Sequence, residues 1–160
     1  MAPAQGKEQK EDGMDDFEKY DREVAERVKE NNEMIALFQS CLEEKGLSPK
    51  TIRNHLGNME LYLNEYLQRE EPHTFADGAA CLPLDDFFGC FYTRKCMWST
   101  PSNIKTTAAS IRKFYKCMYE HGKISKDAFQ EVAETIKENM EDWQDCCADF
   151  NDGDIGYPFF

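Results

Sequence analysis

The sequence predicts an all-α protein: a small bundle of four to five helices, with a helical N-terminal extension and an acidic C-terminal helix. Three observations predict it. Apolar residues recur at spacings of three and four in successive stretches. Hydroxyl residues followed by proline or a helical run mark the starts of helices, and glycines mark their ends. No alternating strand pattern of useful length occurs. With 160 residues the chain has room for one domain with an adequate core, plus tails. The expected division is a disordered tail over 1–14, a helical domain over 15–147 and an acidic, aromatic tail over 148–160.

From Asp15 the pattern turns helical. Phe17, Tyr20, Val24 and Val28 form a first stripe, and Asp15 and Asp16 place negative charge at the helix N-terminus. Asn31 and Asn32 leave open whether this is one long helix or two; Met34, Ile35, Phe38, Cys41 and Leu42 continue the apolar face to Gly46. Gly46 suits the left-handed residue that closes a helix. Ser48 and Pro49 then supply a hydroxyl cap and a first-turn proline for a second helix. Its stripe is Ile52, Leu56, Met59, Leu63 and Tyr66, ending near Arg69.

Pro72 and Gly78 mark a long loop. A third helix is expected from Leu84 to Trp98, weakened by Gly89. Ser99-Thr100-Pro101-Ser102 repeats the cap-and-proline device and starts a fourth helix. Its core stripe is Ile104, Ala108, Ile111, Tyr115 and Met118, and Gly122 ends it. Ser125 caps a fifth helix carrying Phe129, Val132, Ala133, Ile136, Met140 and Trp143.

The formal net charge is −12, but it is unevenly spread. Residues 94–126 carry eight basic side chains against Glu120 alone, net +7, while 1–47, 48–93 and 127–160 stand at −6, −4 and −9. A positive island in an acidic chain either pairs with the acidic segments or presents a basic face. No apolar run approaches the ~20 residues needed to cross a bilayer, and Met1–Gly13 lacks a signal-peptide core. A soluble, cytoplasmic protein without membrane contact is therefore expected.

Seven cysteines without an export signal point to reduced thiols, most of them small apolar core residues. No Cys-x-x-Cys pair exists, so spacing indicates no metal site. His55 and His121 lie near helix ends and read as surface or capping residues. There is no phosphate-cradling glycine loop and no other cofactor motif, so no cofactor and no catalytic residue is expected.

Two stretches carry a resemblance. Gly46-Leu47-Ser48-Pro49-Lys50-Thr51-Ile52-Arg53-Asn54, with Phe38–Leu42 before and Tyr62-Leu63 after, resembles the opening of the core-binding domain of tyrosine recombinases and phage integrases. Ser102–Lys105 and Ser110–Lys116, followed by Gly122, are similar to that domain's fourth helix. The likeness covers roughly residues 34–125 and rests on two motifs in order, about fifty residues apart. It implies a SAM-like helical bundle that clamps double-stranded DNA. In that family a separate C-terminal domain supplies an arginine pair, histidines and a tyrosine nucleophile. Here 35 residues follow Ser125, no arginine lies beyond Arg112, and Tyr157 has no Arg-His constellation near it in sequence. The expected function is thus a non-catalytic DNA-binding module.

The residues expected on DNA are Lys50, Thr51, Arg53, Asn54, Lys105, Thr106, Arg112, Lys113 and Lys116. The cations would neutralise phosphates, and Thr51, Asn54 and Thr106 would add neutral hydrogen bonds. The alternative is a protein-interaction module that keeps the bundle but not DNA binding. Net charge and the aromatic end Tyr157-Pro158-Phe159-Phe160, which suits a partner's groove or self-association, motivate it.

Overall fold

The computed structural model describes residues 15–95 and 99–151. The predicted tail 1–14 falls outside this range; of the predicted tail 148–160, residues 148–151 are described and continue the last helix rather than leaving it. The helices, joined by turns and one longer loop, are α1 (Asp16–Glu44), α2 (Pro49–Glu60), α3 (Cys81–Asp86), α4 (Tyr92–Lys95), α5 (Pro101–Glu120) and α6 (Lys126–Asn151). No described residue lies in a strand. The all-α bundle expected from the periodicity is the observed fold.

The end signals act as expected. Asp15 accepts from the Phe17 N–H, Ser48 from Thr51, Thr100 from Asn103 and Ser125 from Ala128, each satisfying an orphan donor of a first turn. Gly46 and Gly122 end their helices with φ of 75° and 71°, a conformation that disfavours any side chain. α1 is one unbroken helix. Asn31 does not interrupt it, because its side chain turns inward and donates to the Leu63 carbonyl at 3.1 Å.

α2 is continued by a π-helical segment, Leu61–Tyr66, in which the Leu67 N–H reaches back to the Tyr62 carbonyl at 3.0 Å. The wider turn shifts the apolar register, so Tyr62 and Leu67 join Met59 and Leu63 in the core while Tyr66 sits half-buried. A second π segment, Phe87–Phe91, joins α3 to α4 into one rod. That rod begins at Cys81, three residues earlier than predicted. The two π segments face each other: the Phe87 ring lies 4.9 Å from Tyr62 and 5.1 Å from Tyr66, and Phe91 lies 5.1 Å from Tyr66. Edge-on ring pairs of this kind add about 0.5–1.5 kcal/mol each beyond burial.

Several placements depart from the sequence reading. Phe17 is 77% exposed, because α1's first turns extend past the bundle; only Tyr20 reaches back there, donating to the Gln68 carbonyl. His55 is buried in the middle of α2 rather than exposed at an end. The cysteines are not mostly core: Cys81 and Cys146 are exposed, and Cys90 is half-buried. Nor are all of them free thiols, since Cys41 of α1 and Cys117 of α5 are joined as a disulfide with Cα atoms 6.8 Å apart.

The loop before α3 is fixed from inside. Gln68 is buried and holds the loop at His73 through its amide, donating to the His73 carbonyl at 2.7 Å and accepting from its N–H. Tyr62 donates to the Gly78 carbonyl and Tyr115 to the Phe75 carbonyl at 2.7 Å. Burial holds both phenols well above their ordinary pKa, so they remain donors. A Cβ on Gly78 would stand 2.6 Å from the Tyr115 hydroxyl and 2.7 Å from Leu67 Cδ1. Gly78→Ala should therefore cost about 1–3 kcal/mol through overpacking. Gly57→Ala, in mid-helix with nothing within 4 Å of the new methyl, should add about 0.5–1 kcal/mol. Denaturant midpoints moving in opposite directions for the two variants would bear this out; a Gly78→Ala protein as stable as the parent would contradict it.

Candidate functional site

The seam between α2 and α5 is built around a small residue. Ser110 is fully buried on α5, and its size lets α2 approach closely. Its hydroxyl lies 2.6 Å from His55 Nδ1 and accepts from Asn58 Nδ2 at 2.9 Å. Burial, and then the nearby Lys113 charge, pull the His55 pKa below its ordinary value. A neutral imidazole results, whose Nδ1 can accept the Ser110 proton.

Outside this node α2 and α5 diverge into an open groove lined by Arg53, Asn54, Gly57, Asn58, Asn103, Thr106 and Thr107, with Tyr92 from α4. The lining contains one arginine, three asparagines and two threonines but no carboxylate, in a chain with 31 acidic residues. Thr107 is pinned by a hydrogen bond to the Tyr92 hydroxyl at 3.2 Å. Asn54 and Thr106 side chains are exposed at the rim. Asparagine amides and threonine hydroxyls both donate and accept, so the groove can match phosphate oxygens or base edges.

The structure sorts the nine expected residues. Arg53, Asn54 and Thr106 line the groove. Lys50 and Thr51 are exposed in the first turn of α2, where Thr51 also accepts from the Ser48 hydroxyl at 2.9 Å. Lys113 is exposed on α5 about 20° around the helix from Thr106, on the groove side, whereas Lys105 is exposed about 100° away and nearly in line with Arg112. Arg112 is turned away: its guanidinium lies over the Phe129 ring of α6, 5.7 Å from the centroid. At 100° per residue, Thr106 and Arg112 are ~120° apart around α5. Lys116 lies exposed on the Arg112 side.

Among the described residues, no carboxylate lies within ion-pair distance of Lys50, Arg53, Lys105, Lys113 or Lys116. Nor does α1 or α6 contribute a residue to the groove lining. α6 packs against the opposite flank of α5, where Phe129 stacks on Tyr119 at 5.9 Å.

Sequence reading missed Asn58, Asn103 and Tyr92 as lining residues. Asn58 follows Asn54 by four positions, which puts both on one helical face; that signal was available. It also missed the meeting of Cys41, Cys117 and His121 at the far end of α5. Only the i, i+4 spacing of Cys117 and His121 hints at it. Comparison with known protein families, characterised proteins and solved structures finds no match.

The His55 node makes a pH prediction. Because the folded-state pKa is depressed, the unfolded chain binds the proton more readily. Stability from the neutral node is complete above the unfolded value of about 6.5 and is lost as pH falls through the folded value. His55→Gln should abolish that component. The stability gap between parent and variant should thus change steadily between pH 7 and pH 5, while staying flat above pH 7. A gap constant across the whole range would refute the buried neutral histidine.

Proposed function

We propose that this protein is a non-catalytic DNA-binding module that contacts duplex DNA through the α2–α5 groove. One observation carries the reading: among the described residues the groove lining holds no carboxylate, and Lys50, Arg53 and Lys113 beside it have none within ion-pair distance, in a protein of net charge −12. Random placement of acids on this surface would be expected to put one there. The groove lies between the two helices that resemble the core-binding domain of tyrosine recombinases, which supports the same reading. Arg53, Lys50 and Lys113 would neutralise phosphates, and Asn54, Asn58 and Thr106 would hydrogen-bond to phosphate or base edges. Arg112, committed to Phe129, would contribute little.

Fluorescence anisotropy with a labelled duplex at several salt concentrations tests this. Log affinity should fall linearly with log salt, at about −0.9 per phosphate neutralised. Arg53→Glu with Lys113→Glu should weaken binding and flatten that slope by about two phosphates' worth. Arg112→Glu should change it far less. Absence of binding at low salt, or a slope that the double reversal leaves alone, would dispose of the proposal.

A further inference from the structure

Cys41, Cys117 and His121 converge from two helix ends. Cys41 lies in the last turn of α1, Cys117 in the last turn of α5, and His121 is the residue that terminates α5. Their ligand-capable atoms lie within 4.8 Å of one another. His121 Nδ1 stands 4.0 Å from Cys41 Sγ and 3.8 Å from Cys117 Sγ. Around a tetrahedral zinc ion, with Zn–S of about 2.3 Å and Zn–N of about 2.0 Å, a sulfur and a nitrogen ligand stand roughly 3.5 Å apart. The two sulfur–nitrogen separations are already within half an ångström of that. Cys117 is buried, Cys41 half-buried and His121 exposed, so the cluster is anchored inside and open on one side.

We propose that, with its disulfide reduced, this cluster is a Cys₂His site for one zinc-class ion, its fourth position open to water. The disulfide and the metal are alternative occupants of the same two sulfurs. Passage between them is balanced: a dithiol reductant transfers two electrons and two protons to the Cys41–Cys117 bond and is itself oxidised to a disulfide. Zinc then displaces the two thiol protons and binds the thiolates. His121 Nδ1 lies 2.9 Å from the Cys117 carbonyl. In the metal-free state that contact holds the ring beside the sulfurs with Nδ1 protonated and donating; ligation through the same nitrogen replaces this hydrogen bond and releases its proton. Both states tie the end of α1 to the end of α5, so the site can be filled without rearranging the bundle.

The full-length chain is reduced with a phosphine, its thiols are counted, and Co²⁺ and then Zn²⁺ are titrated in without oxygen. Reduction should raise the count by two, to all seven cysteines. One Co²⁺ should bind with the sulfur charge-transfer and tetrahedral d–d bands, and Zn²⁺ should displace it. Cys117→Ser and His121→Ala should each weaken binding at least tenfold. Cys81→Ser with Cys146→Ser, which removes the two thiols that are exposed among the described residues outside the cluster, should leave it intact. The proposal is overturned if the reduced chain binds neither ion stoichiometrically. It is equally overturned if binding follows Cys81 and Cys146 instead, or if reduction leaves the thiol count unchanged. Circular dichroism of each variant separates lost ligation from lost fold.

Discussion

The approach of α2 to α5 at Ser110 is the constraint on which the functional surface depends. A larger side chain there would push the helices apart. An apolar one would strand the Asn58 amide and the buried His55 imidazole, both of which meet the serine hydroxyl. Leaving a buried polar group unpaired costs about 1–3 kcal/mol, so the node is worth more as a set than any one bond within it. Its position matters as much as its energy. By closing the seam at Ser110 it sets how α2 and α5 diverge beyond it, and that divergence is the groove. Phe38 braces the same seam from behind, edge-on to Phe114 at 5.5 Å and near His55 at 6.3 Å.

The distribution of charge follows from how the helices are layered. α6 carries most of the C-terminal acids and buries its apolar stripe between α5, where Phe129 meets Tyr119, and the rod that begins at Cys81, where Trp143 stacks on Phe88 at 4.7 Å and donates to Asp85. The groove occupies the flank of α5 that faces α2. The acids of α6 thus lie across α5 from the groove, and a helix with its side chains is roughly 10 Å wide. That is comparable to the Debye length of ~8 Å at physiological ionic strength. Much of the repulsion an anionic ligand would feel from α6 is therefore screened at the groove, while contacts made directly by Arg53 or Lys113 are not. Net charge is a poor guide to such a surface, and local layering is a better one.

Helix ends were legible in the sequence because each is a local device. Ser48-Pro49, Thr100-Pro101, Ser125, Gly46 and Gly122 satisfy or release backbone groups within a few residues, and no distant contact is needed to decide them. The two π segments were not legible. Leu61–Tyr66 and Phe87–Phe91 are apolar enough to fit a register of four or five residues per turn, and the choice falls to rings meeting across the core. The same divide runs through the site. Arg53, Asn54 and Thr106 could be placed together because two recognisable stretches carry them. Arg112 could not be separated from them without knowing that Phe129 waits on the other side of α5.

α5 links the two special regions of the molecule. Its N-terminal half forms one wall of the groove, its middle holds Ser110, and its end holds Cys117 and His121. The Cys41–Cys117 link joins that end to the last turn of α1, four residues before the Gly46 turn that delivers the chain to α2. The connection from α1 into α2 is therefore held at both sides: by the cysteine link before the turn, and by the Ser110 node after it. The cysteine link lies away from the groove, and the Ser110 node touches it only through Asn58. A wall held by two such clamps keeps its shape when its own exposed side chains change. That arrangement leaves Arg53, Asn54 and Thr106 free to be chosen for what they contact rather than for what they support.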